Sequence, residues 1–372
     1  VLFRSIFTKD FERVASILQA DYSCALKLAT PVAFKSTISK AGHNGIMIKG
    51  AKSIEALSSA DTFIFDKTGT LTGGELEVIS VESYNPKWTE EQILNLTAST
   101  EEHYFHPVAE AVVKAAKQRG FVHMHHEEVE FIVAHGVKTE VNGKSVIIGS
   151  RHFLEDDEKI DFSEHKANIE NSLKDGKTLL YVGYDGKLLG TIGLSDELRS
   201  NAKESISRLK KLGVKDIIML TGDTKEKAHR IAKELGIDEV RAELLPQDKA
   251  SIVKEFMQKG KKVAFVGDGI NDAPALISAH VGISMSRGAD IAKATADISL
   301  LKDDIAAVVE AKEYANKTMH LINNNFNATV GINSAILAGA TFGVFSPIVT
   351  AVLHNGTTIG LLLNSIKGVN IK

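Results

Sequence analysis

The chain of 372 residues has one cysteine and a net charge of only −3. A single thiol cannot build an internal disulfide framework, and it fits a reducing compartment around the water-exposed parts. With a pI near 6.5, the chain lacks the basic surplus of a nucleic-acid binder, so no nucleic-acid partner is expected. No signal-peptide pattern stands at its start, Val1; the expectation is a C-terminal piece of a longer protein. The longest absence is of charge. Between Leu321 and Ile366 there is no Asp, Glu, Lys or Arg. A helix crossing a bilayer needs about 20 apolar residues. Segment 313–372 is therefore expected to hold a transmembrane helix pair turning at Phe345-Ser346-Pro347, with Lys317 and Lys367 on the cytoplasmic side.

Three apolar runs end in carboxylates. Thr62-Phe63-Ile64-Phe65 leads into Asp66-Lys67-Thr68-Gly69-Thr70-Leu71-Thr72. Ile217 to Leu220 leads into Thr221-Gly222-Asp223, and Val263 to Val266 leads into Gly267-Asp268-Gly269-Ile270-Asn271-Asp272. Such runs read as buried strands of a parallel sheet, and open α/β sheets bind ligands where their strands end. Carboxylates gathered there suit a phosphate and magnesium site, because buried carboxylates without a cation are costly. Leu245-Pro246-Gln247-Asp248-Lys249 adds a lysine between the second and third runs. A carboxylate at position 66 can attack a phosphoryl group and form an aspartyl-phosphate.

The seven residues from Asp66 to Thr72 resemble the phosphorylation motif of the P-type ATPases. Water-using aspartate phosphatases of the haloacid dehalogenase type carry a second Asp two positions after the nucleophile, as general acid and base. Thr68 stands there instead, so an ester on Asp66 should persist. The resemblance implies that Asp66 takes the terminal phosphoryl group of ATP, and that Asp66, Asp268 and the Thr68 carbonyl hold Mg²⁺. It implies that Lys249 neutralises phosphoryl oxygens, that Thr221 hydrogen-bonds the phosphoryl group, and that Gly222 and Asp223 lie on the nucleotide side. Lys67, Asn271 and Asp272 complete the catalytic set, the last two by orienting their loop.

A narrower resemblance lies upstream. Tyr22-Ser23-Cys24-Ala25-Leu26-Lys27-Leu28-Ala29-Thr30-Pro31 looks like the metal-site helix of heavy-metal (P1B) P-type ATPases, with Tyr-Ser-Cys in place of Cys-Pro-Cys. One thiolate among hydroxyl and carboxylate oxygens suits a divalent ion better than monovalent copper. His354-Asn355-Gly356-Thr357-Thr358 resembles the last-helix motif of some non-copper groups. The expected transported-ion ligands are Asp21, Ser23, Cys24, His354 and Thr358. Together they look most like the manganese-associated group, with cobalt, zinc and iron open.

The implied fold class is α/β. A haloacid-dehalogenase-like Rossmannoid phosphorylation domain (58–73 and 189–312) carries an inserted α+β nucleotide-binding domain (74–188) and is flanked by transmembrane segments (1–57 and 313–372). The first flank is read as the tail of one membrane helix at Val1–Phe7, then a second from Val14 to Phe34 that Ser36–Leu57 continues towards the sheet. Within the insert, Asn142-Gly143 and Asp185-Gly186 signal hairpins. Glu101, His106, Gly136 and Gly149 match the family's nucleotide-contacting residues, with departures at Ala134 and Ser150. His123, Met124, His125 and His126 read as a solvated stretch. Asp196 and Arg199 read either as the family's Asp-x-x-Arg or as a helix-start capping pair.

The implied function is ATP-driven transport of a divalent transition-metal cation, with ATP and Mg²⁺ as cofactors. The expected location is the plasma membrane with cytoplasmic domains. The expected partners are the bilayer and an N-terminal actuator and membrane part of the same protein. The rival reading is a soluble phosphatase with an aspartate nucleophile; Thr68 and the charge-free tail argue against it.

Overall fold

The structure, a computed structural model, describes residues 11–19, 23–102, 106–132, 135–174, 177–268, 270–286 and 290–371. Its strands are, in chain order, β1 (Ile46–Ile48), β2 (Thr62–Asp66), β3 (Thr72–Ser83), β4 (Glu130–Ile132), β5 (Gly136–Val141), β6 (Lys144–Gly149), β7 (Thr178–Tyr184), β8 (Lys187–Leu198), β9 (Asp216–Leu220), β10 (Glu239–Arg241), β11 (Val263–Gly267), β12 (Val281–Ser284) and β13 (Ile298–Leu300). They form two sheets, and the chain divides into two compact units, Thr72–Arg199 and the remainder.

The remainder is built on a seven-stranded sheet of order β1-β13-β12-β11-β2-β9-β10. All of its pairings are parallel except β1 with β13. Every residue of β2 and β11 is buried, because helices cover both faces of a parallel sheet; hence the unbroken apolar runs. Phe63, Phe65 and Phe265 are fully enclosed, each adding about 2–3 kcal/mol of apolar burial. The central trio β11-β2-β9 sets side by side the three carboxylate-bearing strand ends, which are up to about 200 residues apart in the chain.

Thr72–Arg199 is an antiparallel sheet of order β3-β8-β7-β6-β5-β4. Helices Glu90–Glu101 and Pro107–Gln118 cover one face. Asn142-Gly143 and Asp185-Gly186 turn the two hairpins in left-handed backbone. The strand β8 runs past the expected limit at 188, because it pairs along β3 as far as Leu198 with Thr72; the unit therefore ends at Arg199. Asp196 lies inside β8, so it cannot cap a helix. Its carboxylate accepts Thr72 Oγ1 at 2.5 Å and Gly74 N at 3.0 Å, anchoring the strand that enters the unit.

The first flank differs from expectation. In segment 14–34 the described residues are helical, within Phe11–Gln19 and Ser23–His43, and Pro31 lies within the latter. The continuation through 36–57 is broken. The helix stops at His43, Gly45 turns the chain, β1 follows, and a separate helix spans Ala51–Ser59. Lys312 caps that helix, donating to the carbonyls of Leu57, Ser58 and Ala60 at 2.8–2.9 Å. Carbonyls at a helix end have no partner in their own helix, which is why a buried lysine is tolerated there. The expected helix tail at 1–7 lies outside the described residues.

The second flank is a helix hairpin, Ala306–Thr341 and Pro347–Lys367, turning at 342–346. No helix among the described residues is long and apolar enough to cross a membrane, which corrects the expectation for 313–372. The reason is polar content: Asn323, Asn324, Asn325, Asn327 and Asn333 interrupt one helix, and His354, Asn355 and Asn364 the other. Asn323, Asn324, Asn327, Asn355 and Asn364 are exposed, but part of the polar content points inward. Asn325, Thr329 and Asn333 are buried, as are Thr350, His354 and Ser365, while Phe326, Val352, Ile359 and Leu363 are exposed. That inverts the usual partition of a water-exposed bundle.

Candidate active site

The turn after β2 gives the site its shape. Asp66 ends the strand and is buried. Lys67 is buried beside it, Thr68 lies on the exposed side, and Gly69 takes a left-handed φ of +70°. A Cβ on Gly69 would stand 1.7 Å from Asp268 Oδ2. Only glycine lets this turn pass so close to the carboxylate arriving from β11.

Carboxylate oxygens of Asp66, Asp268 and Asp272 all lie within 4.8 Å of one another. Lys249 bridges two of them, its Nζ 2.9 Å from Asp66 Oδ1 and 2.7 Å from Asp272 Oδ1. Asp272 Oδ2 accepts Asp268 N at 3.1 Å, which holds the loop after β11. Burial pushes the Asp66 carboxyl up to about 7, Asp272 and Asp268 push the same way, and Lys249 opposes them. Burial also disfavours the charge on Lys249, but Asp66 and Asp272 outweigh it and hold the ammonium above its ordinary range. Three ionised carboxylates and one ammonium leave a formal charge of −2. This all-oxygen donor set fits Mg²⁺.

The loop after β9 brings Thr221, Gly222 and Asp223 to the same edge of the sheet. Thr221 is buried, and its Oγ1 accepts Asp223 N at 3.1 Å. Lys67 Nζ reaches Asp223 Oδ2 at 2.7 Å, so the loops after β2 and β9 are tied by an ion pair. Asn271 is exposed in the short turn Ile270–Asp272.

A cavity of about 290 Å³ occupies the antiparallel unit. Glu101, His106, Gly136 and Gly149, all singled out from the sequence, line it together with His135 and Ser150. Phe131, Val137, Leu180 and Leu194 supply apolar walls that periodicity could not distinguish from ordinary core. His106 caps the helix it precedes, its Nδ1 accepting Val108 N at 3.3 Å. Backbones meet tightly at the rim: a Cβ on Gly136 would stand 2.0 Å from Ile148 O, and one on Gly149 2.3 Å from His135 O. Burial alone pushes Glu101 up to about 7. A part-apolar cleft with a few polar groups is the usual form of a small-molecule site. Ala134 lies outside the described residues.

The transported-ion set is not assembled among the described residues. Asp21 and the side chains of Ser23 and Cys24 lie outside them. His354 is buried with its Nδ1 unbonded, one turn from buried Thr350, whose Oγ1 is also unbonded. Thr358 spends its hydroxyl on the His354 carbonyl at 3.0 Å. In the 123–126 stretch, Met124 packs on the core, and His123 stands 3.2 Å from Glu102.

A family model for haloacid dehalogenase-like hydrolases matches residues 60–280. A manganese-exporting P-type ATPase of Mycobacterium leprae (strain TN) is 38% identical over 96% of this chain, and the match covers 50% of that protein. A zinc-transporting PIB-type ATPase in its E2.Pi state matches with a TM-score of 0.82 at 33% identity, covering 92% of this chain and 55% of that one. The catalytic domain of the CPx-ATPase CopB-B, solved to follow conformational changes upon nucleotide binding, matches at 32% identity and a TM-score of 0.58, covering 74% of this chain and 98% of that one. The chain spans about half the length of the curated relatives it matches.

Proposed function

Because the chain belongs to the haloacid dehalogenase-like hydrolases and, among them, to the heavy-metal P1B-type ATPases, we propose that it is the catalytic and C-terminal helical part of an ATP-driven exporter of a divalent transition-metal cation. Manganese comes first, on the likeness to a manganese exporter and the single thiolate of Tyr22-Ser23-Cys24. Zinc comes next, on the likeness to a zinc transporter; cobalt and iron complete the range.

Asp66 is the phosphoryl acceptor. One of its carboxylate oxygens bonds to the terminal phosphorus of ATP as the bond to the bridging oxygen breaks and ADP leaves. The residues contribute position and charge more than covalent help. Lys249, already against Asp66, favours the ionised nucleophile and then faces the phosphoryl oxygens. Thr221 offers a hydroxyl, and the Lys67–Asp223 pair holds two loops in register. Asp66, Asp268 and the Thr68 carbonyl would hold Mg²⁺, with Asp272 beside them; when bound it neutralises charge on the transferring group. The cavity at Glu101, His106, Gly136 and Gly149 takes the base of ATP. Thr68 supplies no general base, so the phosphoenzyme waits for a group outside this chain.

Cys24, His354 and their neighbours are the proposed ion ligands. Buried, unbonded atoms on His354 and Thr350 support this, since polar groups inside a helix bundle are expensive unless used. The exposed apolar flanks of the bundle are surfaces for the further helices of the longer protein, with the phosphorylation unit on the cytoplasmic side.

The contact that carries the proposal is Lys249 against a buried Asp66 within a three-carboxylate group. Acid-quenched phosphorylation of the membrane-embedded protein with labelled ATP tests it, across a panel of divalent ions. A hydroxylamine-sensitive label, lost in Asp66→Asn and changed in ion dependence by Cys24→Ala, is expected. Full label on Asp66→Asn would refute the assignment.

A further inference from the structure

The antiparallel unit holds a second group of metal-competent side chains that phosphoryl transfer does not use. One ligand atom each from His135, His152 and Asp157 lies within 4.8 Å of the other two. The two imidazoles stack with centres 5.9 Å apart and planes 16° from parallel. His152 Nδ1 stands 3.5 Å from Asp157 Oδ2.

The backbone presents these groups deliberately. Phe153–Asp157 is a π-helical turn, closed by Glu158 N donating to Phe153 O at 3.0 Å. A π turn bonds residues five apart, so His152 and Asp157 share one face; such turns recur at functional sites. The turn is pinned from below by buried Phe153 and Leu154, and Arg151 clamps Glu155 at 2.5 Å. His135 arrives from the bend between β4 and β5, where its carbonyl accepts Ser150 N at 3.0 Å.

We propose that His135, His152 and Asp157 form a binding site for a divalent first-row transition-metal ion, at the rim of the cavity that His135 also lines. Two imidazole nitrogens and one carboxylate oxygen leave a fourth position open, the pattern preferred by Zn²⁺ and Co²⁺. Mg²⁺ prefers all-oxygen sets and belongs to the aspartate group. The two clusters therefore sort ions by donor chemistry, and the rim site takes an ion of the exported class without being on the export path. The site does not rest on the pump reading: it stands or falls on binding alone.

Zn²⁺ binding to the whole chain by equilibrium dialysis tests it, in excess Mg²⁺ and in a Cys24→Ala background that removes the competing thiolate. His152→Ala and Asp157→Asn should each weaken one Zn²⁺ equivalent by at least about tenfold. A variant with His123, His125 and His126 all replaced by Ala should bind as before. Co²⁺ should give the intense visible absorption of a low-coordinate site, lost in His135→Ala. His152 and Asp157 are exposed, so metal-free melting should be unchanged and loss of binding cannot be laid to unfolding. Undiminished Zn²⁺ affinity in His152→Ala, or loss of that equivalent in the 123/125/126 variant instead, would overturn the proposal.

Discussion

Asp66 and Glu101 are both buried carboxyls pushed up to about 7, yet they sit in opposite surroundings. Asp66 lies among charges: two other carboxylates and the Lys249 ammonium. Glu101 has only burial acting on it, in a cavity with apolar walls. The first arrangement answers to a cation, because an added positive charge relieves the repulsion that raises it. The second answers to a neutral ligand, because an uncharged carboxyl can both donate and accept hydrogen bonds to a flat base. On the proposed function, one carboxyl serves group transfer and the other recognition.

The comparison breaks most sharply at Gly69. Gly69→Ala places a Cβ against Asp268 in left-handed backbone and should cut phosphoenzyme by at least about 100-fold, a barrier increase of about 2.7 kcal/mol. Gly143→Ala, equally left-handed but with nothing within 4 Å, should cost about 1–2 kcal/mol of stability and leave labelling intact. Equal loss of label in both would remove the special status of the Asp66 turn.

Lys249→Met leaves Asp66 and Asp272 facing each other without their cation. Phosphoenzyme should fall at least about tenfold, with a stability loss of about 3 kcal/mol by denaturant melts. Nucleotide affinity at the Glu101 cavity should not change.

Glu101→Ala should weaken binding of a non-hydrolysable ATP analogue about tenfold, the worth of one buried hydrogen bond. Glu101→Gln, which copies the neutral carboxyl, should stay within about threefold. Calorimetric titration separates the two, and equal losses would show that the ionised form is needed.

The smallest effect is on pH dependence. Both carboxyls have folded values near 7, above their ordinary 3.8 and 4.5. The folded protein therefore keeps protons that the unfolded chain releases, and the metal-free stability they contribute falls as pH rises from about 4 to about 7. Mg²⁺ favours ionised Asp66, so it should raise the melting temperature by a few degrees more at pH 8 than at pH 5.5. Asp268→Asn should abolish that difference, and Glu101→Gln should leave it.

The proposed phosphorylation site was legible as a cluster because each of its parts is local. A fully buried strand writes itself as an apolar run, and the residue ending it is read directly, as at Asp66, Thr221 and Asp268. The hairpins at 142–143 and 185–186 were legible for the same reason. What escaped depends on partners far along the chain. A capping role stayed open for Asp196, beside the family's Asp-x-x-Arg, because its bonds to Thr72 and Gly74 cross more than a hundred residues. The role of Lys312 could not be read because its three carbonyl partners come from the end of another helix. Hydropathy misjudged 313–372 because counting charges ignores the asparagines, and direction of burial is not written in composition.

By itself the sequence determined that this chain has an aspartate poised at a strand end, no second aspartate two residues later, and a polar tail free of charge. Those are properties of short stretches, set by local sterics and side-chain chemistry. Tertiary structure decided which carboxylates lie close together, how near Lys249 comes to Asp66, and that His135 meets His152 and Asp157. Strand order and a π turn create those neighbours, and electrostatic coupling depends on distance through space.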